Sequence, residues 1–489
     1  MKHMKKSFLC LLALLIVSGS CPSCSDSGGK DPQTADTTGG ETESAVEETA
    51  ETEFRYADRI EAVDYNGWTV NIANDPPSAE YFSMFTVEEL TGDAFNDSIY
   101  ERNSRIMDKF NVKITENCDG APDLIKNSVT AGTQDVAFGQ VLHYDCMSLI
   151  SSGYIHPINT MPVFDLSQPY WDKGAQETLM IDGLLWYGYC TLGFDFYESM
   201  AMLFCNGFLL DNAGITETPM ELYYAKKWTL EAMYGMITQV ARDVDGDGKM
   251  TASSEDIFGW SGREFEYLPS LYSSGVSLIR EDPDNGGYVM NLTDEGVMAV
   301  GEWLQKIIND KTLSLIGWND ATRDLFKEGR SLFYSRLLGD FRNLRDKEDD
   351  YTLICYPSLN EGDIEHVYVQ NPFAILIPAD VEDTTRLGTI MEAMIADTYD
   401  NVMDPYINKA IIGKGARDEE SAALFRELCE KRVYDMNYAL NLFDPIKAYN
   451  SAMKKSTYAS LMSKYEPAYA KKVAALTEKL ETVGAPYKD

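Results

Sequence analysis

The chain reads as an α/β protein with a mainly parallel sheet, divided between two domains. Three observations predict this. Strand-like and helix-like periods alternate from residue 67 onward. About 435 residues follow the polar N-terminal stretch, too many for one ordinary core. Past the N-terminus no apolar run approaches the roughly 20 residues that cross a bilayer.

The elements follow in order. Gly67-Trp68-Thr69-Val70-Asn71-Ile72 alternates apolar and polar residues, the period of a strand. Phe95, Ile99, Ile106 and Phe110 lie on one face of a helix over 93–110. Val112 and Ile114 mark a second strand, a helix follows over 122–131, and Asp135 to Phe138 makes a third strand. This βαβαβ order places helices on both faces of a parallel sheet. Further on, Ser199–Phe204, Ser331–Tyr334 and Ala374–Ile377 read as apolar strands, the last stopped by Pro378. Helices are expected over 229–241, over 294–309 behind a Thr293 or Asp294 cap, and through much of the chain after 416.

The N-terminus has the form of an export leader over 1–20: Lys2, Lys5 and Lys6, then an apolar run from Phe8 to Val17, then Ser18-Gly19-Ser20. Cys21 directly after these small residues resembles a bacterial lipobox, although Ser18 stands where leucine is usual. The resemblance implies lipidation at Cys21, with Cys24 the competing anchor and an unlipidated leader the remaining alternative. Residues 21–53 are Ser, Thr, Gly, Asp and Glu with almost nothing apolar, the composition of a disordered acidic tether. The net charge of −36 argues against nucleic acid and anionic lipid as partners. With Cys10 lost in the leader and Cys21 lipidated, seven of the nine cysteines remain, scattered, odd in number and without paired spacing, so neither a disulfide nor a zinc framework is expected.

Asp243-Val244-Asp245-Gly246-Asp247-Gly248-Lys249 has the front half of a calcium loop. Carboxylates stand at positions one, three and five, a glycine at six permits the sharp turn, and the Lys249 carbonyl stands at seven. The twelfth position is Ser254, where a bidentate Glu is wanted, and Glu255 and Asp256 are candidate closing ligands just beyond it. The ion's role would be structural. The alternative is a solvated acidic turn.

Four stretches, in order, resemble the extracellular solute-binding proteins (family 1) of carbohydrate ABC importers, in the branch that carries an EF-hand-like loop. They are Glu101-Arg102-Asn103 through Ile114, Tyr170-Trp171-Asp172 with Ile181 to Trp186, Asn206 to Gly214 with Lys227-Trp228-Thr229-Leu230 and the acidic loop, and Phe326 to Arg330 with the strand after it and Tyr356-Pro357. The resemblance implies the type II periplasmic-binding-protein-like fold: two α/β lobes around a ligand cleft, joined by crossing hinge strands. The N-terminal lobe would hold 54–190 plus 372–432, and the C-terminal lobe 191–371 plus 433–489. Crossovers would fall near Tyr187–Phe194, Tyr368–Pro372 and residue 432.

The resemblance further implies a non-enzymatic, monomeric receptor. It would hold a carbohydrate ligand, pass it to ABC transporter permease subunits, and be lipid-anchored on the extracellular face of the membrane, or in the periplasm if the cell has an outer membrane. A sugar site needs aromatic plates and a few fixed polar groups. Candidates from the first lobe are Gln140, His143 and Tyr144, and from the crossover Tyr187, Tyr189 and Asp195. The second lobe offers Arg263, Glu264, Glu266, Tyr267, Arg336 and Asp340, and the C-terminal helices Asn441, Phe443 and Asp444. Each is equally well read as a packed aromatic or a surface charge. The competing functions are a glycan-active hydrolase or lyase, which would need two carboxylates about 5–10 Å apart, and a non-transport surface receptor or adhesin.

Overall fold

The computed structural model describes residues 54–488 apart from 77–83, 264–267, 283–286, 318–319, 345, 348–350, 364 and 413–418. Its strands are β1 (Trp68–Ala73), β2 (Val112–Asn117), β3 (Phe138–Leu142), β4 (Ile155–His156), β5 (Ala201–Asn206), β6 (Phe258–Gly262), β7 (Ile279–Glu281), β8 (Tyr288–Met290), β9 (Ser314–Ile316), β10 (Ser331–Leu337), β11 (Tyr351–Ile354), β12 (Val367–Tyr368), β13 (Phe373–Pro378) and β14 (Arg432–Val433).

Two five-stranded sheets organise the molecule into two lobes, ordered β2-β1-β3-β13-β4 and β9-β6-β10-β5-β11. In each, the first three strands are parallel and the fourth runs against them. The fourth strand is in each case a visitor. β5 is the first strand formed after the chain leaves the first sheet, and β13 the first sheet strand after it returns. Both visitors are buried along their whole length, which is why Ala201–Asn206 and Phe373–Pro378 read as near-continuous apolar runs rather than alternating ones.

The helices obey local chemistry. Ala94–Phe110 is capped by Asp93, whose carboxylate accepts the Phe95 and Asn96 amides, and it ends at Asn111 in the left-handed region (φ 47°). Leu230–Val240 starts at the Thr229 cap, and Glu295–Asn309 at Asp294, which decides between the two caps the sequence offered. The third strand begins at Phe138, later than its sequence predicts. Asp135 is engaged locally instead, its amide donating to the Ser128 hydroxyl and its carboxylate accepting from Thr133. β5 likewise starts two residues late, because the Ser199 amide is spent on the Asp195 carbonyl in a short helical turn.

Three segments join the lobes side by side. The first crossover touches β13 through paired bonds between Gly188 and Ile375 (3.1 and 2.9 Å). Further along it, Met200 bridges Val369 of the second crossover, and the Gln370 amide donates to the Ser199 carbonyl at 2.9 Å. The third crossover, β14, runs parallel to β12. The C-terminal helix Tyr458–Gly484 then packs against β8 and against the helix Phe443–Met453, and Tyr487 beyond it meets the Trp186 ring edge-on.

Candidate functional site

In open α/β sheets ligands gather at the carboxyl ends of the strands. In both lobes these ends abut the crossovers. His143, directly after β3, donates its backbone amide to the Pro372 carbonyl, and Leu338, directly after β10, donates to Met200.

On the first lobe a half-buried polar cluster stands there. Asp75 follows β1 and accepts the Ala121 amide (2.9 Å), and Tyr144 donates its backbone amide to the Asn371 side chain (3.1 Å). Burial pushes the Asp75 carboxyl up, and Asp145 is raised by burial and by the charge of Asp75. Asp75, Asp145 and Asn371 escape sequence reasoning. The one signal for Asp75 is an Asn-Asp pair immediately after a strand.

The remaining first-lobe and crossover candidates form the floor beneath. Gln140 donates to Asp195 Oδ1 at 2.7 Å, and Asp195 Oδ2 accepts the Phe373 amide at 2.5 Å. Asp195 is wholly buried, and burial pushes its carboxyl up to about 8. Its carboxyl group thus ties the first crossover to β3 and β13. The His143 ring meets the Tyr187 hydroxyl at 2.9 Å, and burial pushes the imidazole down to about 3, so it is neutral at physiological pH. Tyr189 stacks on Tyr434 (centroids 4.7 Å apart, planes 11° apart), and Tyr438 lies 6.5 Å from His143. The cluster is a packed aromatic joint between the first and third crossovers.

On the second lobe, Arg336 and Asp340 lie in one buried network. Asp340 accepts from Tyr334 (2.8 Å), Asn343 (2.7 Å) and Arg323 (3.4 Å), and the Arg336 guanidinium stands 3.9 Å away. Arg263 follows β6, whereas Glu264, Glu266 and Tyr267 lie outside the described residues. Asn441 occupies a left-handed turn (φ 52°), and exposed Asp444 pairs with Lys472 on the C-terminal helix. The Phe443 side chain lies outside the described residues.

A cavity of about 310 Å³ opens between the lobes. Its walls are Glu177 and Thr178 of the first lobe, Tyr272, Arg280 and Tyr288 of the second, and Val433, Tyr434 and Met436 of the third crossover. Tyrosine rings beside a few charged and hydroxyl groups are the lining a polyhydroxylated ring requires. None of the sequence-predicted ligand residues among the described ones lines this cavity. Tyr272, Tyr288 and Tyr434 are far apart in sequence, and only the topology brings them together.

No protein-family model matches the chain, and no curated protein matches it as a relative. Solved structures do match. UspC of M. tuberculosis aligns with a TM-score of 0.55 at 12% identity, covering 82% of this chain and 99% of that one. The galacto-N-biose-/lacto-N-biose I-binding protein of the ABC transporter from Bifidobacterium longum, solved with lacto-N-biose, gives 0.54 at 12%, covering 84% and 98%. An ABC transporter solute-binding protein from Agrobacterium radiobacter K84, solved with ribitol, gives 0.50 at 12%, covering 84% and 100%. This chain shares the fold of these binding proteins.

On this fold, the acidic loop hangs from the second lobe. Its neck is a pair of bonds between Arg242 and Ile257 (2.8 and 3.0 Å). Asp243 accepts the amides of Gly246 (2.7 Å) and Gly248 (2.8 Å), Asp245 that of Asp247, and Asp247 that of Lys249. Carboxylate oxygens of Asp243, Asp245 and Asp247 converge within 4.8 Å of one another. The Asp247 amide pulls the Asp245 carboxyl down, but lost hydration and the charges of Asp247, Asp256 and Asp243 together outweigh it and hold it above its ordinary value. A divalent cation would relieve that repulsion, so the donor set fits Ca²⁺. Glu255 is exposed, whereas Asp256 is buried and accepts Val244 (3.0 Å), Thr251 (2.9 Å) and Ser254. Arg330 clamps the far side through the Ala252 carbonyl at 2.8 Å.

Proposed function

We propose that this protein is an extracellular, lipid-anchored receptor. It captures a sugar or polyol between its lobes and delivers it to an ABC permease without altering a covalent bond. The observation that carries this reading is the two-sheet architecture: two five-stranded sheets joined by three adjacent crossovers, with a tyrosine-walled cavity between them. Structures of the same fold hold lacto-N-biose and ribitol, both polyhydroxylated. Ligand touching both walls favours closure, and the closed shape is what a permease can distinguish. Cys21 supplies the anchor, and residues 21–53 the reach.

The resident ion we propose is Ca²⁺, held by Asp243, Asp245, Asp247 and the Lys249 carbonyl and closed from the Glu255–Asp256 side. It stiffens the loop between the helix Leu230–Val240 and β6 and takes no part in ligand chemistry.

The test is calorimetric titration of the full chain with neutral and acidic oligosaccharides and with polyols. Saturable binding of a hydroxylated ligand, weakened by Tyr288→Ala, with the ligand recovered intact, supports the reading. Silence across the panel, or recovery of a cleaved glycan, overturns it.

A further inference from the structure

Glu198 ends the short helical turn Asp195–Glu198 of the first crossover, and its side chain is only 4% exposed. A group from each lobe reaches its carboxylate. From the second lobe comes Arg342, in the turn Leu338–Leu344 directly after β10. Its two terminal nitrogens donate to the two carboxylate oxygens, Nη1 to Oε2 and Nη2 to Oε1. From the first lobe comes Tyr406, in the segment Pro405–Ile412 that packs on the helix Ala94–Phe110. Its hydroxyl donates to Glu198 Oε1 at 3.0 Å and lies 3.3 Å from the Phe194 carbonyl.

The surroundings fit this contact closely. Gly339 lies so near that a Cβ there would stand 3.2 Å from both Cβ and Oε2 of Glu198. Tyr406 is wholly buried, with its ring centre 4.9 Å from those of Phe95 and Phe194. The crossover is bound to both lobes on either side of Glu198. Asp195 holds β3 and β13, and the Met200 carbonyl accepts the Leu338 amide at 2.7 Å. A bidentate pair of guanidinium and carboxylate is among the strong hydrogen-bonded contacts. A buried ion pair adds little stability over an apolar contact of similar volume, but removing one partner strands a charge. A stranded Glu198 gains by meeting water, and parting the lobes is what admits water. Glu198, Arg342 and Tyr406 all lie outside the walls of the interlobe cavity. There the lobes meet through a neutral bond, from the Tyr288 hydroxyl to the Met180 carbonyl at 2.6 Å.

We propose that Glu198 is the middle link of a clasp between the lobes, which biases the ligand-free molecule toward its closed form. The links run in series: first lobe, Tyr406, Glu198, Arg342, second lobe. Losing either outer link unfastens the clasp, and losing both unfastens it no further. Ligand then meets a population already shifted to closure, so the clasp raises apparent affinity without touching the ligand. This inference rests on the two-lobe reading but not on the identity of the ligand, and its test uses none.

The test is small-angle X-ray scattering of the full chain without ligand. The polar N-terminal segment is common to every variant, so differences in radius of gyration report the two lobes. Arg342→Gln and Tyr406→Phe should each shift the radius upward, and the double variant should match the larger of the two shifts. Arg342→Lys keeps one charged bond and should fall between the parent and Arg342→Gln. Circular dichroism checks that each variant is folded, and Tyr406→Phe, which removes a single hydroxyl, is the mildest of them. A radius unchanged in both single variants overturns the proposal. So does a double variant whose shift is the sum of the two, or Arg342→Lys as expanded as Arg342→Gln. Silence in the sugar titrations would overturn the sugar reading and leave these shifts as they are.

Discussion

Replacing Asp195 by Asn should make the protein's stability less dependent on pH. The carboxyl is wholly buried and ordinarily titrates at 3.8. Burial pushes it up to about 8; the Phe373 amide pulls it down and Glu198 adds to the rise. Between those two values the folded state holds a proton that the unfolded chain releases. Stability therefore falls as pH rises through this window, and the loss is complete above the folded value. Each unit is worth about 1.4 kcal/mol, so a rise of about four units sets a ceiling near 6 kcal/mol on the penalty at pH 8. Asparagine keeps the shape. Its oxygen accepts the Phe373 amide, and its NH₂ faces Gln140, whose side-chain amide turns over to present oxygen. Urea unfolding of both proteins from pH 4.5 to 8.5, at intervals of about half a unit, reads the difference between the two curves, which cancels every other titrating group. The variant should gain on the parent steadily as pH rises. A difference that is flat across this range, or that grows in the parent's favour, refutes the account of Asp195 as a neutral carboxyl at the joint.

Three further outcomes follow from the structure. Chelation should lower the Tm, calcium should restore it, and Asp245→Asn should remove the response; identical melting curves with and without chelator would dispose of the loop as a metal site. Gly174→Ala should destabilise by about 1–3 kcal/mol in urea, since a Cβ there stands 2.2 Å from the Arg432 carbonyl oxygen and the hinge strand must move aside. Among the described cysteines, Cys118 is partly exposed and the others are buried, so brief alkylation of the native protein, mapped by mass spectrometry, should modify Cys118 ahead of Cys146, Cys190, Cys205, Cys355 and Cys429.

Much of the fold is legible in the chain because its signals are local. The alternation at Trp68–Ile72, the cap at Thr229 and the apolar stripe of Glu295–Asn309 each depend on residues within a few positions. The aromatic joint is only half legible. His143, Tyr187, Tyr189 and Asp195 stand out as unusual residues near a strand end and a crossover, yet the sequence does not say whether they face a ligand or one another. The structure pairs them with Gln140, Phe373 and Tyr434, partners up to 245 positions away (Tyr189 to Tyr434). The interlobe cavity is not legible at all, because Thr178, Tyr272, Tyr288 and Tyr434 share no spacing. Arg432 carries no local signal either. Its partner Asp172 lies 260 positions away along the chain.

The visiting strands bear on how the molecule is made. The bonding edge of Phe138–Leu142 has no neighbour on its far side until Phe373–Pro378 has been synthesised, more than 200 residues later. Contacts so distant along a chain close slowly, and an open edge meanwhile invites pairing with other chains. The N-terminal half cannot mature on the ribosome ahead of the rest. A truncation ending before residue 373 should yield an aggregating fragment, and a chaperone that shields the nascent edge would matter more here than for a protein whose halves are contiguous.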